Sequence, residues 1–255
     1  MRRRRYPILE FDPARDAVIH PSNVVAPAEV PERCVVCFFR EVLEGLERGG
    51  RVRRVASMRS EMGEHPMYLV DVNGAQVAAF HPGVGAPLAV ALLEEAIAIG
   101  CRKFIACGGA GVLRRDIALG HLVVPTSAVR DEGTSYHYLP PDREVSASPE
   151  GVAAIERVLQ RRGVPYLVGK TWTTDAPYRE TPDKVRMRRA EGCLTVEMEA
   201  AAFFAVAQFR GVPFAQILYG GDDVSGLEWD SRRWHKRTSV RENLFWLAAE
   251  ACAEM

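Results

Sequence analysis

The 255-residue chain has few cysteines, no excess of one charge and no long apolar run. Its six cysteines are too sparse for a disulfide scaffold, which favours a cytoplasmic location. The 33 basic and 33 acidic side chains cancel, so the chain offers no net field to attract nucleic acid. No segment approaches the roughly 20 apolar residues of a membrane helix, and no signal-peptide core follows the basic start MRRRRYPILEF. We therefore expect a small-molecule partner, and neither nucleic acid nor membrane.

Familiar ligand-binding motifs are also missing. The chain contains neither the dinucleotide pattern GxGxxG nor a P-loop with its Lys-Ser/Thr pair. Cys34 and Cys37 form a C-x-x-C, but a zinc site needs a second pair or histidines at ligand spacing, and none is near. The surrounding ERCVVCFFREVLEGL repeats apolar residues at helical spacing, which predicts buried thiols on a helix. We expect no metal and no cofactor.

The order of strand-like and helical segments indicates the fold class. Short β-rich runs alternate with helical runs, and Asn73-Gly74 between two of the runs predicts a hairpin. Strands that alternate with helices predict an α/β fold with a central, mixed sheet flanked by helices. The composition is ordinary, with 47% hydrophobic and 26% charged residues, and no linker or repeat interrupts it. We predict one domain spanning residues 1–255, with residues 1–14 as an N-terminal arm.

Four predicted strands end in residues that suit a ligand. Their ends read FHPGVG, ACGGAG, VEME and YGGDDVSG. In open α/β sheets, ligands usually bind beyond the carboxyl ends of the strands. Glycines there allow backbone N–H groups to approach an anion or a sugar, although tight packing turns also use glycine pairs.

Two carboxylates mark the VEME segment. Glu197 and Glu199 flank Met198, and alternate residues of a strand share a face. Two such carboxylates repel unless they bind something or one is protonated. A sugar diol is one natural partner, and structural N–H groups or arginines are the alternative. Asp222, just past an apolar strand, is either a solvated turn residue or a general acid with a pKa raised by burial.

Three segments in order resemble the nucleoside phosphorylase superfamily called NP-I, which holds purine nucleoside phosphorylases, uridine phosphorylases and nucleosidases. The most specific is TVEMEAAAFFAVAQFRGVPFAQILYGGDD, which is similar to the family's signature region. FIACGGAGVLRRDIALGHLVVPTSAVRDEGTSYHY resembles its central glycine-rich strand, and VGKTWTTDAPY resembles its base-stacking strand. The resemblance implies an α/β sandwich whose site lies at strand ends and is completed by a neighbouring subunit.

The resemblance also implies roles for residues near the sugar and base. Met198 and Glu199 fall on the family's ribose-binding pair, and Glu197 falls on the acidic position before them. Trp172 falls where the family places an aromatic residue beside the base, and Asp222 falls on the acid that protonates purine N7. Cleavage of the glycosidic bond develops positive charge on the sugar and negative charge on the leaving base. Glu199 would stabilise the first and a protonated Asp222 the second.

Further assignments concern the remaining contacts with the substrate. Gly108 and Gly109 fall in the loop beside the anomeric carbon and phosphate, and Gly83 belongs to the FHPGVG loop. Arg59 matches an arginine that a neighbouring subunit contributes to phosphate binding. Tyr6, in the basic arm, aligns where the family often has a histidine from a neighbour. These assignments imply a homodimer or homohexamer.

The phosphate ligands of the family are largely absent. The stretch AVIHPSNVV stands in for the family's G-D-P-x-R loop, with Val25 near the position of its arginine. Ala106 stands where a second arginine precedes the central glycines, and Gly109 stands where the family has Ser or Thr. Arg130 and Arg179 are substitute candidates, each with surface charge as the alternative.

A hydrolase reading would explain the missing phosphate ligands, but the nucleosidases place a glutamate near the N-terminus to activate water. The equivalent loop here offers His20, Ser22 and Asn23 and no acid. Three interpretations remain open. The preferred one is a nucleoside phosphorylase that takes phosphate as co-substrate and favours purines. The others are a phosphate-independent nucleosidase and a non-catalytic binder of nucleosides.

Overall fold

The computed structural model describes residues 3–234 and 238–255, in which strands and helices alternate. The first two residues of the predicted arm lie outside this range. The strands are β1 (Arg33–Cys37), β2 (Val52–Ser60), β3 (Gly63–Val72), β4 (Ala75–Phe80), β5 (Lys103–Val112), β6 (Leu122–Asp131), β7 (Glu144–Ser146), β8 (Tyr166–Thr174), β9 (Cys193–Glu197) and β10 (Phe214–Asp223). The helices are α1 (Arg40–Arg48), α2 (Ala86–Ile99), α3 (Pro149–Arg161), α4 (Pro182–Ala190), α5 (Ala200–Arg210) and α6 (Thr238–Ala253).

All strands belong to one mixed sheet. Its order is β10-β6-β8-β9-β5-β1-β4-β3-β2, and β7 pairs with β6. Because β10 also pairs with β5, the strands β5, β9, β8, β6 and β10 close into a ring. β4, β1, β5 and β10 run parallel, whereas β6, β8 and β9 run parallel to one another and antiparallel to that group. The predicted α/β fold with a central mixed sheet flanked by helices is confirmed.

Helices cover both faces of the sheet. Residues of α1, α3 and α6 form one apolar core with one face of the central strands. Residues of α2 and α5 form a second core on the opposite face. Every residue from Ala200 to Ala207 is buried, because α5 is apolar all round and lies against both strands and α2. The VEME carboxylates therefore precede a helix that belongs to the interior of the protein.

The Asn73-Gly74 pair forms the predicted hairpin turn between β3 and β4. Both residues have positive φ, 54° and 87°, as a two-residue turn with the twist of a hairpin requires. Thr181, which precedes the Pro182 start of α4, caps that helix by accepting a hydrogen bond from the N–H of Lys184 at 3.4 Å. Local sequence signals therefore predict these boundaries correctly.

The predicted helix around the C-x-x-C is wrong. Cys34 and Cys37 lie on β1, which pairs in parallel with β4 and β5, and α1 begins only at Arg40. A strand that is buried on both faces reads as a continuous apolar run, so its periodicity resembles that of a buried helix. All six cysteines are buried and free, as the thiol prediction requires. Within the described ranges, no helix has the length and apolar character needed to cross a bilayer.

Candidate functional site

A cavity of about 340 Å³ lies where the strands β1, β5, β9 and β10 end. One wall is the glycine-rich end of β5, a second is the turn from β9 to α5, and a third is the end of β10. The sheet opens at this point because β1 leaves β5 after the pair Cys37–Cys107, whereas β9 joins β5 only at Gly111. A neighbouring cavity of about 580 Å³ shares four lining residues with the first, namely Pro177, Glu180, Asp222 and Trp234.

Glu197 is the last residue of β9, and its carboxylate turns toward the start of α5. One oxygen accepts hydrogen bonds from the N–H groups of Glu199 at 2.7 Å and Ala200 at 2.6 Å. The other accepts from the hydroxyl of Thr173 on β8 at 2.6 Å. The carboxylate thus satisfies two free N–H groups at the start of α5 and one hydroxyl of β8, so the structural alternative stated for it accounts for its contacts.

Glu199 occupies the N-cap position of α5, one residue beyond the turn at Met198. Its Oε1 accepts a hydrogen bond from the N–H of Gly85 at 2.5 Å, at the start of α2. Glu197, Met198 and Glu199 all line the cavity. The strand geometry assumed from sequence ends at Glu197, so the two carboxylates reach the cavity through the turn and not from one strand face.

Burial raises the pKa values of both carboxyls. The pKa of Glu197 rises to about 7 through desolvation, which the bond from Thr173 partly offsets. The pKa of Glu199 rises to about 8 through desolvation and the neighbouring charge of Glu197. Because Glu197 accepts three hydrogen bonds that favour its charged form, the proton of this pair resides on Glu199 near neutral pH. Donors from a sugar diol would bind the ionised Glu199 and release that proton.

The glycines bring backbone close to the cavity. A Cβ at Gly108 would lie 3.1 Å from the ring of Phe38, and one at Gly109 would lie 3.0 Å from the ring of Tyr219. Both glycines line the cavity. Gly83 lies beside it, since its neighbour Val84 is a lining residue. Gly83 has a φ of 76°, and a Cβ there would lie 2.4 Å from Leu88, so the turn before α2 requires glycine.

Asp222 lines both cavities and marks their junction. Its Oδ2 accepts a hydrogen bond from the indole N–H of Trp229 at 2.7 Å. The next residue, Asp223, faces away and pairs with Arg232 at 2.5 Å. Burial alone would raise the pKa of Asp223, but hydrogen bonds from Ser225, together with the pairing to Arg232, lower it. Of the two aspartates, Asp222 is therefore the one available to a ligand.

Glu180 is a cavity residue that sequence reasoning missed. It lines both cavities, and burial together with the nearby charge of Asp222 raises its pKa to about 7. A carboxyl that is neutral near physiological pH can donate a hydrogen bond as well as accept one. No sequence pattern marks Glu180 as a site residue. It reaches the cavity only because the chain between β8 and α4 folds back over it.

The structure places Trp172 away from the cavity. Its side chain is fully buried in a core cluster with Val129, Val185 and Val196, and its indole N–H donates to Asp131 at 3.0 Å. Lys184 and Arg188 lie over the ring. Because β8 presents Thr173 to Glu197, the preceding residue points to the opposite face. We therefore do not assign Trp172 to the base, and Trp229 and Trp234 are the indoles that line the second cavity.

Three predicted contact residues lie outside the cavity of their own chain. Arg59 is exposed on β2, at the far edge of the sheet, and Arg179 is exposed in the turn Pro177–Arg179. Tyr6 is 56% exposed at the start of the turn Pro7–Leu9. For Arg59 and Tyr6, the predicted role needs a neighbouring subunit, and it stays a prediction.

Arg130 has a structural role. It is 5% exposed, and its guanidinium donates to the hydroxyl of Ser135 and to the carbonyls of Leu139 and Pro140. These bonds clamp the loop that follows β6. Arg130 is not among the residues that line the cavity, so the structure offers it no role as a phosphate ligand.

The stretch from residue 17 to 25 does not contribute to the cavity. Its turn at Pro21–Asn23 packs against α2, and shortly afterwards Ala28 donates to the carbonyl of Ile99 at the last turn of that helix. The cavity lies at the first turn of the same 14-residue helix, about 20 Å away at 1.5 Å per residue. The side chain of His20 accepts from the N–H of Ser22, which completes a local cap. The prediction that this stretch replaces the phosphate loop is wrong.

The segment that does lie at the cavity is Phe38-Phe39, between β1 and α1. Sequence reasoning missed it because the end of β1 was read as helix. Gln216 of β10 also lines the cavity, beside Ala106 in the β5–β10 register. It is 1% exposed, and its Oε1 has no hydrogen-bond partner among residues 3–234 and 238–255. An amide thus stands where the resemblance had suggested an arginine.

Two known proteins are similar to this chain in sequence. A guanosine phosphorylase from Halorubrum lacusprofundi is 31% identical over 186 residues, which span 69% of this chain and 76% of that protein. A uridine phosphorylase from Thermococcus kodakarensis is 29% identical over 184 residues, which span 64% of this chain and 65% of that protein.

Solved structures share the fold. The purine nucleoside phosphorylase from Toxoplasma gondii in complex with immucillin-H superposes with a TM-score of 0.75 at 22% identity, covering 92% of this chain and 95% of that one. A uridine phosphorylase from Vibrio fischeri superposes with a TM-score of 0.72 at 26% identity, covering 89% and 91%. The sequence pattern of the Phosphorylase superfamily matches residues 33–243. From this match, and from its cavity at the strand ends, we conclude that the chain belongs to the phosphorylase superfamily.

Proposed function

We propose that this protein is a nucleoside phosphorylase that cleaves the N-glycosidic bond of a purine nucleoside, with phosphate as the acceptor. The observation that carries the proposal is the placement of Glu199 and Asp222 in one cavity, with the glycine-rich end of β5 also on its wall. Glu199 would bind the ribose hydroxyls. Asp222, at the junction with the second cavity, would face the base.

The proposed reaction needs little from the protein beyond position and charge. The bond between the anomeric carbon and the base nitrogen breaks, and its electron pair goes to the base. A phosphate oxygen forms a new bond to the same carbon, while the base accepts a proton at N7 from the protonated form of Asp222, which leaves the site as a carboxylate. Because the sugar becomes cationic in the transition state, the carboxylate of Glu199 stabilises it electrostatically.

Carboxyl groups at the base end support a purine. Asp222 and Glu180 both line the second cavity. Each carboxyl can accept a hydrogen bond when ionised and donate one when protonated, so the two together could bind two edges of a purine. The guanosine phosphorylase of Halorubrum lacusprofundi is consistent with this preference, whereas the uridine phosphorylases among the relatives favour a pyrimidine. We propose purines because the acidic side chains lie in this chain's own cavity.

Ribose release from inosine, guanosine, adenosine and uridine, with and without phosphate, tests the proposal. We expect cleavage of the purine nucleosides only with phosphate, with a sugar phosphate as product. Glu199→Ala provides the matched negative control. Cleavage that proceeds equally well without phosphate would show a nucleosidase. The Oε1 of Gln216, which has no hydrogen-bond partner in the described part of the chain, favours that second candidate, since it could accept a hydrogen bond from an attacking water.

Absence of turnover, combined with a nucleoside-dependent rise in melting temperature, would indicate a binding protein and overturn the catalytic proposal.

A homodimer or homohexamer is part of the proposal, because Arg59 and Tyr6 can reach a cavity only in a neighbouring subunit. Light scattering of the purified protein tests this part. A monomer that cleaves nucleosides would remove both residues from the site.

A further inference from the structure

We propose that Tyr219 and Arg241 bind the phosphate acceptor, in place of the phosphate ligands that are missing at Ala106 and Gly109. The inference deepens the proposed function and rests on it. It assigns the acceptor end of the cavity to β10 and α6, neither of which carried a phosphate ligand in the sequence-based prediction.

The hydroxyl of Tyr219 occupies the space where a side chain at Gly109 would lie. The two residues are register partners in the parallel pair of β5 and β10. A Cβ built on Gly109 would lie 3.1 Å from the Tyr219 hydroxyl. Tyr219 is fully buried and lines the cavity, so its hydroxyl is held in one place. A hydroxyl from β10 therefore stands near the place of the Ser or Thr that β5 lacks.

Arg241 brings a positive charge to the same end. Its Nε donates to the Tyr219 hydroxyl at 3.3 Å, and its Nη1 pairs with Glu41 in the first turn of α1. The guanidinium contacts the faces of two rings, 5.4 Å from the centre of Phe39 and 5.1 Å from that of Trp234. Among the described residues that line the cavity, Arg241 is the single cation.

The backbone adds a donor directed at the same opening. Phe38 donates to the carbonyl of Cys107, so the backbone groups of Cys107 point toward β1. Because alternate residues of a strand point their N–H and C=O groups to the same side, the N–H of Gly109 also faces that side. β1 has already left β5 there, and β9 has not yet joined it. The N–H therefore points into the opening of the sheet.

These groups form a set suited to a phosphate. A guanidinium offers five N–H donors, and Tyr219 and Glu41 engage two of its three nitrogens, so it can bind a ligand oxygen without leaving either. Glu41 and the two rings hold the guanidinium in place before the anion arrives, which reduces the ordering cost of binding. Charge-assisted bonds from arginine are the strong contacts in phosphate recognition.

The test compares Arg241→Met with Arg51→Met. Arg51 is a matched control because it also lies over a tryptophan, at 4.7 Å from the ring of Trp246, and pairs with a glutamate of α6, but outside the cavity. We expect Arg241→Met to raise the KM for phosphate about tenfold to a hundredfold and to leave the nucleoside KM within about twofold. Arg241→Lys should recover part of the loss. Tyr219→Phe should raise the phosphate KM less, by about twofold to tenfold.

Anion binding is measured separately, as the rise in melting temperature on adding phosphate without nucleoside. Wild type and Arg51→Met should be stabilised, and Arg241→Met should not. An unchanged phosphate KM in a folded Arg241→Met variant overturns the inference and leaves the phosphorylase proposal standing. If the wild type cleaves no nucleoside but phosphate still stabilises it through Arg241, the anion site stands and the proposed function fails. No stabilisation of an inactive wild type overturns both.

Discussion

The carboxyl of Glu199 accepts a hydrogen bond from the backbone N–H of Gly85 at 2.5 Å and so joins the first turns of α5 and α2. Gly85 has a φ of 89°, a conformation that glycine adopts without strain. The pair fixes the orientation of a buried carboxyl on the cavity wall. The protein thus holds this carboxyl in place where it lines the cavity.

Glu199→Ala should reduce turnover of the preferred nucleoside by at least about a hundredfold, because the sugar loses its electrostatic partner in the transition state. Steady-state kinetics with saturating phosphate measures the effect. Glu94→Gln is a matched control, since Glu94 is equally buried but pairs with Arg210 outside the cavity. It should change stability and not turnover. Near-normal turnover of Glu199→Ala would remove the sugar-site assignment.

Glu199→Gln should make the protein more stable at pH 8 and change little at pH 5. The pKa of Glu199 is raised to about 8 in the folded state, so the folded protein holds a proton that the unfolded chain loses above its ordinary value of 4.5. Stability therefore falls as pH rises from about 4.5 to 8, and glutamine removes this dependence. We expect a melting temperature about 2–4 °C higher at pH 8 for each kcal/mol recovered. A gain that is equal at both pH values contradicts the raised pKa.

Asp222→Asn should slow purine cleavage by at least about a hundredfold and affect uridine much less, because only the purine accepts a proton at N7. The measurement is the ratio of kcat/KM values for inosine and uridine. Asp223→Asn is the neighbouring control, and it should lower the melting temperature through loss of its pair with Arg232 without changing that ratio. An unchanged rate on inosine would refute the role of Asp222.

Glu180→Gln should flatten the pH dependence of nucleoside binding near neutrality. In the wild type the pKa of Glu180 is raised to about 7 by burial and by the charge of Asp222, so the base end of the cavity gains a negative charge as pH rises through 7. We expect the nucleoside KM to increase over that interval in the wild type only. Asp222→Asn should shift the same transition to lower pH. A wild-type KM that is constant between pH 6 and 8 contradicts this interpretation.

Trp172→Phe should lower stability by about 1–3 kcal/mol and leave the nucleoside KM unchanged, since the indole is core and not cavity. Denaturant unfolding gives the first quantity and steady-state kinetics the second. Trp234→Phe, which alters a lining residue, provides the comparison. A selective rise in the nucleoside KM of Trp172→Phe, at unchanged stability, would show that Trp172 contacts the base.

The fold class and several boundaries follow from local sequence signals. The Asn73-Gly74 hairpin and the Thr-Pro start of α4 depend on the conformations that these few residues allow, so neighbours far along the chain hardly matter. The β1 strand was misjudged for the opposite reason. Whether an apolar run such as 33–37 becomes strand or helix depends on which strands pair with it, and here those are β4 and β5.

By itself, the sequence determined the α/β class, the Asn73-Gly74 hairpin and the place of the VEME carboxylates at a strand end, because residue order alone encodes periodicity and turn chemistry. Only the tertiary structure decided which polar groups meet. It directed Glu197 to the amides of α5, removed Trp172 from the cavity, and brought Glu180, Tyr219 and Arg241 to its wall. Those groups come from distant parts of the chain, and their proximity depends on strand register and on the opening of the sheet between β1 and β9.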